Sequence, residues 1–535
     1  MIDNRNCIGC HACTVACKAE HDVPIGVNRT WVKYVEKGQF PDTRRIFSVM
    51  RCNHCEYAPC IEICPTQALY LRPDGIVDFN NDRCIGCKSC TQACPYDAIY
   101  IDPETHTAAK CNYCAHRIDV GLEPACVNVC PTEAIISGDL DQKNSQISNL
   151  VSRQQVTARK PEKGTLPKLF YIEGDDVSLK PLETEQSSKS LWGSQSSGVG
   201  HFSGKENSYS LGFESSNNNS RKHNSSTGEK SVQKLISSKG GLSGGGRPAK
   251  RVYDSPSKGI LWGWEVAGYI LTKALSAGIL GLPLLLNEFN LINLTSQTIW
   301  ITSLVSLLFL GATGILLIMD LDQPTRFLYV LFRPHWKSWL VKGGYTISVF
   351  GGLVTLLGGA HLLGYGEWVN WLTWPILLFS ILLSIYTAFL FAQAKGRDFW
   401  QSPLLILHML LHAVIGGSAL ILIIGLFWEP IYYMMPYIRN ILIGGLVVQI
   451  FSLAAELITP HPTVDSHRTV KIITKGVFKS EFWGGVVLIG SLIPFFMLIS
   501  SFAPMILAIA GLLALVGIWC SVRIWVIAPQ MIPLS

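Results

Sequence analysis

Hydrophobic residues are concentrated in the second half of the chain, after Pro256. Eight apolar runs of about 20 residues follow one another there, and each is long enough to cross a hydrocarbon core of about 30 Å as a helix. They lie near 262–285, 298–319, 339–361, 372–394, 403–426, 440–459, 482–501 and 505–527. Lipid offers no hydrogen-bond partner to open backbone groups, so these runs are predicted to be transmembrane helices. An even number places both ends of this half on one face, which we call the near face.

The first part of the chain is polar and contains only short apolar stretches. Residues 75–79 and 98–101 have the character of small strands. Residues 185–254 are rich in Ser, Gly and Asn, and such a segment cannot bury enough apolar surface to order itself. The sequence therefore predicts four parts: a cysteine-rich domain at 1–140, a polar extension at 141–184, a flexible linker at 185–254 and a membrane domain at 255–535.

Composition supports a membrane protein and excludes some alternatives. Hydrophobic residues make up 48% of the 535 residues, charged residues only 15%, and the mean hydropathy is +0.29. This balance is too apolar for a wholly soluble protein. The formal charge of +6 predicts no nucleic-acid partner, because the basic residues lie beside the apolar runs. Only six residues precede Cys7, so no cleavable signal peptide is expected.

Sixteen of the 17 cysteines form four groups of four. The groups are Cys7, Cys10, Cys13 and Cys17; Cys52, Cys55, Cys60 and Cys64; Cys84, Cys87, Cys90 and Cys94; and Cys111, Cys114, Cys126 and Cys130. The first and third groups share the spacing C-x2-C-x2-C-x3-C, whereas the middle gap is wider in the other two. Proline follows the last cysteine in three of the groups. Cys520 lies alone in the last apolar run and is expected to be a small buried apolar residue.

This spacing is typical of ligands to [4Fe–4S] clusters. Three closely spaced thiolates on one loop can bind three irons of a cubane, and the fourth cysteine, redirected by the proline, reaches a neighbouring cluster. Zinc sites use two C-x2-C pairs and do not need a third cysteine so close. Disulfides cannot join cysteines that are crowded in this way. With sixteen ligands present, four [4Fe–4S] clusters are predicted, but the spacing leaves their pairing open.

The cysteine-rich part resembles the iron–sulfur subunit of polysulfide reductase and dimethyl sulfoxide reductase, members of the molybdopterin oxidoreductase family. The similarity covers residues 1 to about 180 and is carried by Arg51 to Cys60 and Lys110 to Cys114. In that family the first group pairs with the fourth and the second with the third. The resemblance therefore implies four ligand sets. They are Cys7, Cys10 and Cys13 with Cys130; Cys111, Cys114 and Cys126 with Cys17; Cys52, Cys55 and Cys60 with Cys94; and Cys84, Cys87 and Cys90 with Cys64.

Several ionisable residues lie inside the apolar runs, where such residues are costly and usually functional. Glu265, Tyr269 and Lys273 are spaced four residues apart and therefore share one face of the first helix. Depths traced at about 1.5 Å per residue place Lys273 near the middle of the membrane and His361 near the far face. Glu265 lies in the near-face third, and the residues predicted to join it there are Asp320, Tyr386, His408, Glu456 and Arg523.

A quinone requires such an arrangement, because its oxygens need hydrogen-bond donors and acceptors and its protons need a route. The candidate quinone-binding residues are Tyr386, Glu265, Tyr269, His408, Glu456 and Arg523. The alternative is that these residues separately pair helices or extend to the membrane surface. Haem is not expected, because it needs two axial histidines at matching depth on different helices. His408 and His412 share one helix, and His361 lies at the other face.

Residues from about 255 to 535 resemble the membrane-anchor family of polysulfide reductase, often called NrfD-like. The matching stretches are Trp262–Glu265, Asp320–Phe327, Ser338–Leu340, Tyr386–Phe389, Arg523 and Ala528–Gln530. The resemblance implies a quinone, expected to be menaquinone, that binds near the iron–sulfur part. Tyr386 falls on the position of a tyrosine that lines this site in the family. A glycine common near the end of that family is replaced by Pro529 here.

The expected fold is an α+β ferredoxin-like repeat domain with four [4Fe–4S] clusters, joined to an all-α bundle of eight transmembrane helices. The resemblance implies electron transfer between membrane quinone and a separate molybdopterin-containing catalytic subunit that acts on polysulfide, thiosulfate or a similar substrate. The protein would then be the electron-transfer and quinone-reactive subunit of an oxidoreductase, with the terminal substrate site in its partner. The alternative is a quinol-oxidising, proton-translocating module similar to alternative complex III, with Lys273 and His361 in its proton path.

Basic residues favour one orientation in the cytoplasmic membrane. The near-face loops contain Arg326, Arg333, Lys337, Lys342, Lys395, Arg397, Arg468, Lys471, Lys475 and Lys479. The far-face loops contain only Arg439. The positive-inside rule therefore places the near face and the iron–sulfur domain on the cytoplasmic side. The resemblance to polysulfide reductase implies the opposite side, because its cluster subunit is exported with a signal-bearing catalytic partner.

Overall fold

The chain forms two compact units. The structure is a computed structural model, and it describes residues 1–186, 248–255, 258–365 and 368–535. Unit 1 contains Met1–Leu261, Ala394–Arg397 and Met531–Ser535, and unit 2 contains Trp262–Gln393 and Asp398–Gln530. Residues 187–247, which make up most of the predicted linker, lie outside the described residues.

Unit 1 contains short strands in two sheets and two hairpins. The strands are β1 (Ile2–Asp3), β2 (Trp31–Gln39), β3 (Asp42–Met50), β4 (Leu69–Leu71), β5 (Val77–Phe79), β6 (Ile99–Ile101), β7 (Ala108–Lys110), β8 (Val156–Thr157), β9 (Tyr171–Ile172), β10 (Glu185–Gln186) and β11 (Ala249–Tyr253). The strand orders are β1-β9-β8 and β10-β11-β2-β3, and β4-β5 and β6-β7 are separate hairpins. The strands predicted near 75–79 and 98–101 are β5 and β6.

Both ends of the predicted flexible linker are strands in the structure. β11 pairs antiparallel with β2, and β10 pairs in parallel with β11, so both join the four-stranded sheet. Val35 and Ile46 of this sheet form a small buried cluster with Val177, against which Ala249 packs. The composition of residues 185–254 hides these two short pairing segments, because each pairs with a strand that is distant in the sequence.

Short helices carry five of the sixteen cysteines of unit 1. The short helices of this unit are α1 (Ala12–Glu20), α2 (Pro59–Ile63), α3 (Ser89–Ala93), α4 (Ala115–Ile118), α5 (Ala125–Asn128), α6 (Gln146–Arg153) and α7 (Asp176–Leu179). Cys64 and Cys94 directly follow α2 and α3, and both have extended backbone conformations. Each precedes a proline, which disfavours the helical conformation for the residue before it. Pro65 and Pro95 therefore turn these two cysteines away from their own helices.

Unit 2 is helical. Its helices are α8 (Trp264–Glu288), α9 (Ser296–Met319), α10 (Tyr329–Phe332), α11 (Trp339–Leu362), α12 (Trp368–Gln393), α13 (Leu404–Gly425), α14 (Met435–Ile458), α15 (Val464–Lys475), α16 (Ile493–Ser500) and α17 (Pro504–Ile527), and Glu481–Leu492 is a π-helix that continues into α16. In the part of the chain that the structure describes, eight helical segments are long and apolar enough to cross a membrane. The predicted number of eight is confirmed.

The eight spans form two groups of four. α8, α9, α11 and α12 pack together, and α13, α14, the π-helix with α16, and α17 pack together. Contacts of α8 with α13 and α17, and of α12 with α13, join the groups. α8 is the most buried span. Residues on α8 therefore face protein on most sides, which is the environment that membrane proteins use for polar side chains.

Two glycines allow α8 and α13 to cross closely. A Cβ atom on Gly278 would lie 2.0 Å from the carbonyl oxygen of Ala413, and one on Gly417 would lie 2.3 Å from the carbonyl carbon of Gly278. Neither distance is possible for a real side chain. Small residues at helix crossings let backbones approach in a membrane, where packing replaces the hydrophobic effect as the main source of association.

Four basic residues that the sequence assigned to loops, Arg439, Arg468, Lys471 and Lys475, lie in helices. Arg439 lies in the first turns of α14, where its Nε donates to the carbonyl of Leu498 at 2.6 Å and its guanidinium lies 3.8 Å from the Phe502 ring centroid. It thereby caps carbonyl groups at the end of α16, a role that cations commonly fill. The segment with Arg468, Lys471 and Lys475 is the helix α15, and the Thr463 hydroxyl accepts from the backbone of its first turn.

Candidate functional site

Two cavities in unit 1 are each lined by four cysteines. One is lined by Cys52, Cys55, Cys60 and Cys94, and the other by Cys64, Cys84, Cys87 and Cys90. α2 packs against α3 between them. Each cavity therefore takes three cysteines from one sequence group and its fourth from the other.

The first and fourth cysteine groups also meet, because α1 packs against α5. Burial raises the pKa of Cys7, and the neighbouring sulfurs of Cys130 and Cys10 raise it further. Burial raises the pKa of Cys17 to about 12, and the sulfurs of Cys111 and Cys126 contribute to this increase. Cys7 of the first group thus lies near Cys130 of the fourth group. Cys17 of the first group lies near Cys111 and Cys126 of the fourth group.

Cys13 and Cys114 complete these neighbourhoods. Burial raises the pKa of Cys13 to about 12, and both Cys126 and Cys7 lie close enough to add to the shift. Cys13 therefore lies beside both sets. Burial raises the pKa of Cys114, with Cys111 and Cys126 as neighbouring sulfurs that add to the increase. Buried thiols with a raised pKa are thiolates at neutral pH only when a bound metal or a nearby cation supplies positive charge.

The donor sets fit iron–sulfur clusters. Backbone N–H groups point at ligand sulfurs, as from His54 to Cys52 at 3.5 Å and from Ala108 to Cys84 at 3.4 Å. Such bonds are a general feature of cluster sites. Among the described residues, no three His, Cys, Asp or Glu side chains converge on a single ion. A cubane does not require convergence, because each thiolate binds a different iron.

Two side chains that the sequence did not single out as site residues contact the sulfurs. The guanidinium of Arg51 lies 3.4 Å from the sulfur of Cys126 and 3.7 Å from that of Cys111. Nε2 of His21 lies 3.2 Å from the sulfur of Cys114. The only sequence signal was the position of Arg51 directly before a cysteine group. His21 lies far from Cys114 in the sequence and gave no signal.

One cysteine set reaches the protein surface. Cys10 is exposed, and Cys7 and Cys130 are half-buried, whereas the cysteines of the second group are all buried. Exposed apolar side chains lie next to these cysteines in the sequence, with Ile8 56% and Val129 40% exposed. These cysteines are therefore accessible from the solvent.

Lys273 and Tyr386 form the best-defined polar contact inside unit 2. Nζ of Lys273 donates to the carbonyl oxygens of Leu383 at 3.0 Å and Ser384 at 2.8 Å, and it lies 4.2 Å from the Tyr386 ring centroid. Lys273 is fully buried and has no carboxylate partner within the described ranges. It links α8 to α12 and places its amine over the face of the tyrosine ring.

The Tyr386 ring is fixed from two further sides. A Cβ on Gly343 of α11 would lie 2.3 Å from Cε2 of Tyr386, so the backbone there closes directly on the ring. Tyr269 lies one turn before Lys273 on α8 and within electrostatic range of Tyr386 and Asp320. The structure thus brings together Tyr269, Lys273 and Tyr386 with Asp320.

His408 and His412 line a cavity between α8, α12, α13 and α17, together with Ile270 and Trp525. The His408 and Trp525 ring centroids lie 5.5 Å apart. Within the described residues, Nε2 of His408 and Nδ1 of His412 are buried without a hydrogen-bond partner. His412 is within electrostatic range of both His408 and Lys273. The two histidines therefore continue the polar region that begins at Tyr386.

The remaining candidates for the quinone site are Glu456, Arg523 and Glu265, and each has its own set of neighbours. Glu456 accepts a hydrogen bond from the Ser402 hydroxyl at 2.8 Å. Arg523 forms an ion pair of 2.6 Å with Glu481, a residue that the sequence analysis missed. Glu265 is buried in the first turn of α8.

The proton path predicted through Lys273 and His361 stays a prediction. His361 lies near the end of α11, and no contact between it and Lys273 occurs among the described residues. Buried groups between these two residues would be needed to carry a proton from one to the other.

Family comparisons divide the chain in the same way. Residues 5–20 match a 4Fe-4S binding domain and residues 43–140 match a 4Fe-4S dicluster domain. Residues 254–533 match the family described as polysulphide reductase, NrfD. The chain therefore has an iron–sulfur region followed by a multi-pass membrane region, and the expected fold class is confirmed.

Curated relatives match the iron–sulfur region. A tetrathionate reductase subunit of Salmonella typhimurium is 43% identical over 186 residues, which is 34% of this chain and 74% of the relative. A polysulfide reductase subunit of Wolinella succinogenes is 44% identical over 178 residues, or 32% of this chain and 92% of the relative. The thiosulfate reductase electron transfer subunit PhsB of Salmonella typhi is 43% identical over 157 residues, or 29% and 81%.

The lining of the two cavities gives a direct test of the cysteine pairing. Cys64→Ser is expected to alter the cluster bound by Cys84, Cys87 and Cys90, because Cys64 lies in their cavity. Cys60→Ser, in the same sequence group, is expected to alter the other cluster. Anaerobic EPR of the dithionite-reduced protein measures both.

The Cys64→Ser signal should match that of Cys87→Ser, and the Cys60→Ser signal should match that of Cys94→Ser. If Cys60→Ser and Cys64→Ser instead change one and the same signal, each sequence group binds its own cluster and the pairing is wrong.

Proposed function

This chain is a member of the polysulphide reductase NrfD family, and we propose that it transfers electrons between membrane quinone and a separate molybdopterin-containing catalytic subunit. The partner would reduce or oxidise polysulfide, thiosulfate or a similar substrate, as the names of the iron–sulfur relatives indicate. The observation that carries the proposal is the pair of cavities lined by four cysteines each, in a chain that also has eight spans. The protein is then the electron-transfer and quinone-reactive subunit of an oxidoreductase complex.

Four [4Fe–4S] clusters are proposed, with one ligand set for each. The sets are Cys7, Cys10, Cys13 and Cys130; Cys17, Cys111, Cys114 and Cys126; Cys52, Cys55, Cys60 and Cys94; and Cys64, Cys84, Cys87 and Cys90. The cavity linings support the last two sets, and the electrostatic neighbours of Cys7 and Cys17 support the first two. Each bound cluster would carry one electron at a time, so the two electrons of a quinol leave singly.

The exposed surface around Cys10 is the proposed contact with the catalytic subunit. Electron transfer between two proteins requires the donor and acceptor to approach closely, and Cys10 belongs to the set nearest the solvent. Ile8 and Val129 add apolar area that a partner can cover. The other three sets then carry electrons through the interior of unit 1.

The quinone site is proposed at Tyr386. Its hydroxyl can donate to a quinone oxygen, and Lys273 holds the ring by its contact with the aromatic face. Oxidation of a quinol releases two protons together with two electrons, so basic groups are needed nearby. Nε2 of His408 and Nδ1 of His412, which have no hydrogen-bond partner among the described residues, can accept them. Menaquinone is the quinone expected from the family resemblance.

Replacement of the Tyr386 hydroxyl tests the quinone site. Tyr386→Phe is expected to slow cluster reduction by a menaquinol analogue about tenfold or more, which is the loss expected for one hydrogen bond in a buried site. The measurement is anaerobic EPR of the purified full chain after rapid mixing. Tyr345→Phe is the matched control. The Tyr345 hydroxyl is also in unit 2, but it donates to the Leu331 carbonyl at 2.7 Å and is not a candidate for the quinone site.

Equal reduction rates in the parent and Tyr386→Phe would contradict this site. If clusters that dithionite reduces stay oxidised in the parent as well, the reverse reaction from reduced clusters to quinone distinguishes an opposing potential from a missing site.

A second candidate function is proton translocation coupled to quinol oxidation, as in alternative complex III. It is favoured by the fully buried Lys273 and by its proximity to His412. A lysine without a carboxylate partner in this environment can exchange its proton with a nearby base more readily than an ion-paired one.

Removal of the Lys273 amine separates the two candidates. In sealed vesicles, Lys273→Met is expected to abolish proton uptake per quinol oxidised, and the ratio is measured on whatever quinol turnover the variant retains, because Lys273 also contacts Tyr386. Lys342→Met is the control, because Lys342 also lies over an aromatic ring, 4.3 Å from the Trp339 centroid, but on α11. Unchanged proton uptake per quinol in Lys273→Met would leave simple electron transfer as the function.

We propose that the iron–sulfur region lies on the cytoplasmic side of the cytoplasmic membrane. The basic residues of near-face segments support this orientation, and α15 contributes Arg468, Lys471 and Lys475 to them. Arg439, the one basic residue assigned to the far face, caps carbonyl groups at the end of α16. Its position is therefore explained by this contact and does not count against the orientation.

A protease recognition sequence inserted between residues 187 and 247 tests the orientation. We expect cleavage in inside-out vesicles and protection in right-side-out vesicles, because both ends of this segment belong to unit 1. Detergent-solubilised protein is the control for accessibility of the inserted sequence. The reverse pattern would place the iron–sulfur region outside the cytoplasm.

A further inference from the structure

Arg51 is a buried cation whose nearest partners are sulfur atoms. It follows β3 directly, and its side chain is turned into unit 1, where only 5% of the residue is exposed. One guanidinium nitrogen lies 3.4 Å from the sulfur of Cys126 and another lies 3.7 Å from the sulfur of Cys111. The Tyr113 ring lies on another side, with its centroid 5.9 Å from the guanidinium carbon.

Carboxylates do not balance this charge. Within the described ranges, no Asp or Glu lies at ion-pair distance from Arg51, although other arginines of unit 1 have such partners, as Arg72 has with Asp74 at 2.9 Å. A guanidinium cannot lose its proton at physiological pH. Since an isolated buried charge is too costly to persist, its counter-charge has to come from the sulfur ligands and what they bind.

We propose that Arg51 is the counter-ion of the cluster bound by Cys17, Cys111, Cys114 and Cys126 and raises the reduction potential of that cluster. The proposal rests on the proposed function, which supplies the cluster. One-electron reduction adds one negative charge to the cluster without changing its ligands. A fixed cation in direct contact with two of its sulfurs stabilises the reduced form more than the oxidised form.

Arg51 is a positioning residue for electron flow and takes no part in bond making. Lys is not equivalent to it, because the planar fork of arginine reaches two sulfurs at once, whereas an ammonium group is a single point of charge. Arg51→Lys should therefore retain part of the effect. Arg51→Gln keeps hydrogen-bonding capacity but removes the charge.

The test is an EPR-monitored redox titration of the purified full chain. In Arg51→Gln, the midpoint potential of one cluster is expected to fall clearly more than those of the other three, because only Cys126 and Cys111 contact the guanidinium. Arg51→Lys should give a smaller shift of the same signal. At a fixed potential, the ratio of reduced to oxidised cluster should fall on the order of tenfold, or about 59 mV for a one-electron couple, as expected for a lost charge-assisted hydrogen bond.

Arg72→Gln is the matched control, because its charge is already balanced by Asp74 and Asp119 at the surface. It should leave all four potentials unchanged. Cys114→Ser identifies the signal of the cluster in question, and the shifted signal should be the same one.

Iron and acid-labile sulfide content separates the possible failures. If the parent holds no clusters, the proposed function fails. If Arg51→Gln cannot retain its cluster, Arg51→Lys decides the question. Four unchanged potentials in a fully loaded Arg51 variant would show that the guanidinium has only a packing role and would overturn the proposal.

Discussion

Four sulfurs have to surround one small inorganic group, and unit 1 depends on this requirement more than on an ordinary hydrophobic core. Apart from β2 and β3, its strands have at most five residues. One of its buried apolar clusters includes Cys13 and Cys126 among its members. Pro65 and Pro95 end helices at the residue where a cysteine must point elsewhere. α2 therefore packs against α3 while Cys64 and Cys94 each turn into the cavity lined by the other group.

The helices of unit 2 are held together mainly by close packing, because in lipid the hydrophobic effect does not drive helices together. Gly278 and Gly417 let α8 and α13 approach at backbone distance. This crossing places α8 at the centre of the unit, where polar side chains such as Tyr269 and Lys273 avoid lipid. The contact of Lys273 with carbonyl groups of α12 shows how one such side chain is satisfied without a carboxylate.

The sequence predicted the features that depend on composition and short spacing. Apolar runs located the eight spans, and the cysteine groups identified the iron–sulfur region. It could not predict contacts between residues far apart in the chain. The pairing of Arg523 with Glu481, the approach of His21 to Cys114 and the capping role of Arg439 all depend on tertiary packing. The helix α15 was missed because its polar face resembles a basic loop.

The pairing of β10 with β11 changes what the long polar segment can do. Glu185–Gln186 and Ala249–Tyr253 are neighbouring parallel strands of one sheet, so both ends of the segment between them are held side by side. The covalent path from this sheet to α8 is only residues 254–263. Since the cost of closing a loop grows only with the logarithm of its length, residues 187–247 can lengthen, shorten or accept an inserted domain while that path keeps its length.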